Sequence, residues 1–204
     1  MSAPARTFGG LPRRIWMLLA LTLVTVAADF MVVPYFAVYF SRGLDLGVGF
    51  AAAALTAFTL VSKAAQVVGG WLTDRLAPER LLAAGFTAMI LGYLVLAAGR
   101  SAPAAVAGML LLGSGDGCLV IAMRYKLISG CEAALRPRVF SLTSVCFNLG
   151  AMAGPLAGVL LFSLSPAWTF ACAAAVYAAS YLVLRLFTEP RHQAAAPPGP
   201  RGPA

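Results

Sequence analysis

The chain has 204 residues, 61% of them hydrophobic and 11% charged, with a mean hydropathy of +0.87 and a formal net charge of +8. An ordinary soluble domain is about 45–50% apolar, and a soluble fold of this length has too much surface to hide such an excess, so lipid is the solvent this composition implies. The positive charge does not mark a nucleic-acid binder, because the basic residues fall singly between apolar segments, with no basic stripe and no interleaved aromatics.

Six apolar runs approach or exceed the length of about 20 residues that a bilayer crossing needs. They lie at 15–40, 48–71, 81–99, 103–128, 139–163 and 167–187. Each is expected to be a helix, since lipid offers the backbone no other partner. Residues 1–14 precede them as a basic N-terminal segment. The first run follows "PRRIW" and continues through "DFMVVPYFAVYF" to Phe40, well past the apolar stretch of a cleaved leader, so it reads as a span. It carries Asp29. The second carries Lys63 and ends in "GGWLTDRLAPER" (69–80), where Asp74, Arg75, Glu79 and Arg80 crowd together. Gly69 and Gly70 are expected to admit a neighbouring backbone closely, and Asp74 to favour a helix N-terminus. The third and sixth runs hold no mid-membrane charge and read as lipid-facing support. The fourth contains "GSGDG" (113–117) around Asp116, a small-residue packing face or room beside the acid. The fifth contains "NLGAMAGPLAG" (148–158), where Pro155 should kink the helix because it lacks a backbone donor. Residues 188–204 form a Pro/Gly/Ala-rich tail expected to be disordered. The reading is one transmembrane domain over 15–187.

Orientation comes from the basic residues. With both ends on one side, that side collects twelve Lys/Arg, the other only Arg42 and Arg100, and Lys63 lies within a span. Such a bias places the N- and C-termini in the cytoplasm, in a multi-pass protein of the plasma (inner) membrane.

Enzyme chemistry finds little to work with. The four cysteines form no CxxC pair, and the single histidine, His192, lies in the tail. A histidine dyad, an intramembrane serine protease and a histidine metal cluster are therefore excluded from the spans, and no cofactor or metal is expected. Charges inside a bilayer are costly and mark function by default. At a rise of about 1.5 Å per residue, Asp29 lies about 21 Å, Asp116 about 18 Å and Lys63 about 12 Å from the cytoplasmic ends of their runs. The lysine stem could carry Lys63 to either acid. The acids are candidates for proton coupling or for capture of a cationic substrate; the plainer alternative is a static ion pair between helices.

Several of these stretches together resemble the major facilitator superfamily of secondary transporters. Its loop signature is Gly, three residues, Asp, Arg/Lys, any residue, Gly, then basic residues. Gly70, Asp74, Arg75 and Arg80 fit it, while Ala77 replaces the second glycine and Pro78 and Glu79 replace basic residues. In the fifth run Gly150, Gly154, Pro155 and Gly158 match the family's antiporter signature, and "RPRVFS" (136–141) resembles its usual lead-in. "FMVVPYFAVYF" (30–40) is similar to first helices of drug-efflux members. Met109 stands where the family usually has an arginine in helix 4. The resemblance implies an all-α membrane protein, a half-bundle of six transmembrane helices in two inverted three-helix repeats, with helices 1 and 4 lining a central cavity. It implies transport of a small molecule, as a half-size efflux-type proton antiporter completed by a second half, either a copy of itself in a homodimer or a separate chain. The alternative is a truncated or regulatory six-helix protein without transport of its own.

A cysteine introduced at Gly43 should be labelled by a membrane-impermeant reagent in intact cells, and tags at either terminus should be protected. Labelling at Gly43 only after permeabilisation would reverse the orientation.

Overall fold

A peptide N–H or C=O without a partner in hydrocarbon costs several kcal/mol, so a long apolar run can satisfy its backbone only by coiling. The computed structural model, which describes residues 7–8, 10–73, 75 and 77–187, contains six such helices among those residues. They are α1 (Arg13–Gly43), α2 (Gly47–Thr73), α3 (Pro78–Ala98), α4 (Ala102–Ser129), α5 (Ala133–Leu164) and α6 (Pro166–Phe187). Four of them carry proline in the first helical turn, at Pro78, Pro103, Pro137 and Pro166, where a missing N–H costs nothing. The first span is not uniform. It is α-helical over Arg13–Val32, tightens to a 3-10 turn at Val33–Tyr35 around Pro34, and ends in a π turn at Tyr39–Gly43. A short hairpin, β1 (Thr7–Phe8) with β2 (Leu11–Pro12), leads into it; it turns at Gly10 with φ +79° and buries Leu11 completely.

The helices pack in the order α2, α4, α3, α6, α1, α5, while α4 meets α1 and α5 only lightly. Exchanging the first three helices with the last three maps the α1–α5 contact onto α4–α2 and the α3–α6 contact onto itself. Two inverted three-helix repeats give this pattern.

Both equivalent contacts are made by glycine. On α5, Gly150, Gly154 and Gly158 lie against α1; a Cβ at Gly154 would come to 2.5 Å from the Ala27 carbonyl. On α4, Gly113 and Gly117 lie against α2; a Cβ at Gly117 would come to 2.5 Å from the Ser62 carbonyl. Lipid gives helices no hydrophobic reason to associate, so they hold together through backbone proximity of this kind. Three expectations change as a result. The small-residue stripe "GAMAGPLAG" suits close contact with a second half by its residues alone, but it faces this chain's own α1 and is not free for one. The close approach expected at Gly69 and Gly70 is absent: a Cβ on Gly70 would meet nothing within 4 Å, and one on Gly69 only side chains at 3.8 Å. The outward helices are α2 and α5, whereas α3 is as buried as α1 and α4. Absence of charge in α3 and α6 therefore did not mark them as lipid-facing: each buries one face against α1 or α4 and the other against its counterpart. Helix α5 runs unbroken through Pro155.

The two ends of the bundle are closed differently. At the α1–α2 end, Tyr39 donates from its hydroxyl to the carbonyls of Leu96 (3.2 Å) and Gly99 (3.3 Å). Its ring meets Phe170 edge-on, with centroids 4.9 Å apart, beside Phe36 and Phe40. At the opposite end Arg13 lies over the Phe187 ring at 5.8 Å, which ties the start of α1 to the end of α6. The expected tail at 188–204 lies outside the described residues.

Gly154→Ala should destabilise the bundle by about 1–3 kcal/mol, because the added methyl meets backbone that cannot yield. Gly69→Ala, with only ordinary contacts, should stay within about 0.5 kcal/mol of the parent. Thermal unfolding in one mild detergent compares the two.

Candidate functional site

Helix α1 presents Asp29 to the bundle interior. Its two carboxylate oxygens each accept a hydrogen bond at 2.8 Å, one from the Tyr93 hydroxyl on α3 and one from the Tyr177 hydroxyl on α6. Both tyrosines are buried. Three helices therefore converge on one side chain. A hydroxyl inside an apolar span must find an acceptor, and an acid there must find donors, so each group resolves the other's difficulty.

Helix α4 presents Asp116. It accepts a hydrogen bond from the Ser62 hydroxyl of α2 at 2.5 Å, and the Ser62 oxygen in turn accepts one from the Gln66 amide at 3.3 Å. The "GSGDG" stretch explains this reach. Gly113 and Gly117 bring α2 against α4, while Gly115 does the same for α3, whose Gly85 lies opposite. The packing reading of these glycines and the placement of Asp116 are thus one fact.

The two acids line a single cavity of about 160 Å³, with Thr22 and Thr25 from α1, Arg124 from α4 and Thr143 from α5. Toward the end that carries the chain termini, this cavity borders a wider cleft of about 310 Å³ between α4 and α5. The two spaces share Arg124, Leu127 and Thr143.

Lys63 is not part of this arrangement. It comes directly after Ser62, and one residue turns a helix by about 100°. Its side chain is accordingly exposed on the outer face of α2 and makes no ion pair among the described residues. The expected meeting of Lys63 with either acid does not occur; neutral hydroxyls occupy the places foreseen for it.

The signature residues divide. Gly150, Gly154 and Gly158 seat α5 on α1, and the Pro155 carbonyl accepts a hydrogen bond from the Tyr35 hydroxyl at 3.2 Å. In the loop, Arg75 stacks over the Trp71 ring at 4.1 Å and Arg80 is exposed. Asp74 lies outside the described residues. Gly70 sits near the end of α2. The loop's other acid has a partner that sequence reasoning missed: Glu79, at the start of α3, pairs with Lys126 of α4 at 2.9 Å. Lys126 is only 3% exposed and Glu79 57%. Tyr93, Tyr177 and Ser62 were missed too. The available signal was a hydroxyl within an apolar run, but each run holds more than one, Thr87 beside Tyr93 and Thr56 and Thr59 beside Ser62, so the signal did not single these residues out.

A helical bundle of inverted repeats, with acids from its first and fourth spans facing one cavity, has the build of a membrane transport protein. The sequence pattern of the Major Facilitator Superfamily matches residues 18–203, and the chain belongs to that family, one of transporters and not of enzymes. An uncharacterised MFS-type transporter, YhjO of Bacillus subtilis (strain 168), is 32% identical over 88 residues, covering 42% of this chain and 22% of its own length. Among solved structures, a peptide transporter, POT, crystallised as a mutant with alafosfalin, superposes with a TM-score of 0.83 at 22% identity over 90% of this chain and 40% of its own. A POT family transporter in complex with 5-aminolevulinic acid gives 0.78 at 18% identity, again over 90% and 40%. The chain thus spans about two fifths of the length of these solved transporters, and the likeness to them is one of fold.

The Glu79–Lys126 pair is asymmetric, and so should be its response to mutation. Glu79→Gln leaves a buried ammonium without its countercharge and should cost about 1–3 kcal/mol. Lys126→Met leaves an exposed carboxylate that water can solvate and should cost under about 1 kcal/mol. Unfolding of the two variants side by side checks the order.

Proposed function

We propose that this six-helix bundle is one half of a proton-coupled transporter for a small molecule, of the efflux-type antiporter kind. It is completed by a second six-helix unit, whether a copy of this chain or another polypeptide. We place it in the plasma (inner) membrane with both termini in the cytoplasm, on the strength of the basic residues gathered at that end.

One observation carries the reading. Asp29 and Asp116, on different helices, face the same cavity, and their partners are neutral hydroxyls. An ion pair would supply each acid with a fixed countercharge. Hydroxyls do not, so a proton or a cationic part of the substrate is left to neutralise the carboxylate. Competition between those two at one site is what exchange of a proton for a substrate requires. The cavity borders the α4–α5 cleft, which lies at the end carrying the termini, while aromatic rings plug the opposite end. That arrangement suits a state open to the cytoplasm. The packing of Gly150, Gly154, Pro155 and Gly158 against α1 adds support, since any movement of α5 is passed directly to the helix that holds Asp29. Asp29 has the further task of joining α1, α3 and α6, whereas Asp116 has one side-chain donor, Ser62.

Crosslinking in native membranes should trap the chain with a second six-helix unit. In proteoliposomes carrying a pH gradient, a cationic dye such as ethidium serves as the transported probe. Asp116→Asn should lower its proton-driven movement at least tenfold without changing the crosslinked species, and Asp29→Asn should do the same with some loss of thermal stability. A strict monomer that moves no probe would favour a regulatory six-helix protein instead. Unaltered coupling in both variants would remove the acids from the mechanism.

A further inference from the structure

Lys63 stands inside a span and has no task in the transport reading. It faces outward from α2, about 24 Å along the helix from one end and about 15 Å from the other, and makes no ion pair among the described residues. An ammonium at that height is costly against lipid tails, so the face that carries it calls for a protein cover.

Helix α5 is the other outward helix, and its exposed face answers that of α2. Ala52, Thr59 and Lys63 lie along one side of α2, and Val159, Met152 and Asn148 along one side of α5; all six are exposed. The two helices run in opposite directions, and the intervals between the three residues are the same in each. Counted from the ends away from the chain termini, Gly47 on α2 and Leu164 on α5, the residues therefore pair by height. Ala52 and Val159 stand at about 7.5 Å, Thr59 and Met152 at about 18 Å, and Lys63 and Asn148 at about 24 Å. In the first two pairs a smaller side chain is matched by a larger one. In the third a donor is matched by an acceptor. The Asn148 amide nitrogen donates to the Ser144 carbonyl at 2.8 Å on its own helix, which leaves its Oδ1 to accept, and an ammonium has only donors.

Within one chain α2 and α5 stand at opposite ends of the packing order, so the match is one between chains. A two-fold axis makes such contacts mutual. With α2 on α2 it would set Lys63 against Lys63, two like charges at one height. With α2 on α5 it sets each Lys63 on an Asn148 and forms the contact twice.

We propose that the second unit is a copy of this chain, and that the two copies meet about a two-fold axis with α2 of each on α5 of the other, each Lys63 ammonium donating to Asn148 Oδ1 across the interface. The proposal rests on the reading of the chain as one half of a transporter and names its partner.

Two differently tagged copies of the full chain, co-expressed and oxidised in native membranes, test the geometry. Thr59→Cys in one copy and Met152→Cys in the other should give at least tenfold more disulfide-linked dimer than Thr59→Cys in both. In proteoliposomes, with association followed by energy transfer over a range of protein-to-lipid ratios, Asn148→Lys should weaken the dimer at least tenfold by setting two ammonium groups face to face. Adding Lys63→Asn exchanges donor and acceptor and should restore association to within threefold of the parent. Where Asn148→Lys fails to insert, Lys63→Met should still weaken association at least tenfold, since it removes the charge that lipid penalises. Crosslinking of α2 to α2, or association unmoved by these substitutions, overturns the proposal and leaves the transport reading standing. So does a complex with a different six-helix chain that moves ethidium without a second copy. A strict monomer that moves no dye removes both.

Discussion

The bundle depends on how closely its helices' backbones can approach. In water, helices associate to hide apolar surface; in lipid that gain disappears, and van der Waals contact and hydrogen bonds remain. Glycine supplies both, by letting helices meet without intervening side chains. Helix α4 is built on this constraint. Gly113 and Gly117 seat it on α2, and Gly108 and Gly115 seat it on α3 opposite Gly92 and Gly85. Because these glycines hold α4 tight against both neighbours, the Asp116 carboxylate comes within reach of the Ser62 hydroxyl. The pseudo-equivalent contact of α5 on α1 is built from Gly150, Gly154 and Gly158 in the same manner.

Polar groups then decide which parts of the bundle are tied and which are loose. Asp29 binds α1 to α3 and α6 through two tyrosine hydroxyls. Tyr39 and the phenylalanines beside it lock one end, and Lys126 with Glu79 fastens α4 to α3 near the other. No comparable tie spans α4 and α5 among the described residues, and the cavity lies behind that seam. A transporter needs rigid groups of helices that rock about a site near the membrane midplane. The distribution of hydrogen bonds here divides the helices in a way that suits this, with the acids on the rigid side and the seam on the yielding one.

Much of the fold was legible because lipid imposes so few choices. Runs of apolar residues have to be helices, so their number and rough limits could be read directly, and the "GAMAGPLAG" and "GGWLTDR" stretches indicated the family by their residues alone. Asp29 and Asp116 stood out for the same reason, since a carboxylate in an apolar run is rarely accidental. Lys63 stood out equally and yet faces away. Counting residues along a helix gives height in the membrane; it gives direction around the axis only when the packing of that helix is known, and the one-residue step from Ser62 to Lys63 separates the interior of the bundle from its exterior. The glycines of α5 carried the same ambiguity. Their spacing signalled close contact, and the choice between α1 and an external partner was not written in them.

Composition and hydrophobic pattern alone determined that this protein lives in a membrane, that it crosses six times, and that two acids stand at mid-depth. Those properties are set by the transfer of single residues between water and lipid, and each residue contributes independently of its distant neighbours. The tertiary structure alone decided that Asp29 is shared by tyrosines 64 and 148 residues away, that Ser62 and not Lys63 meets Asp116, and that α3 and α6 are interior. Those properties are set by pairwise contact across the bundle. The fit of backbone against backbone at the glycines selects such contacts, and no local pattern in a single helix specifies its partner.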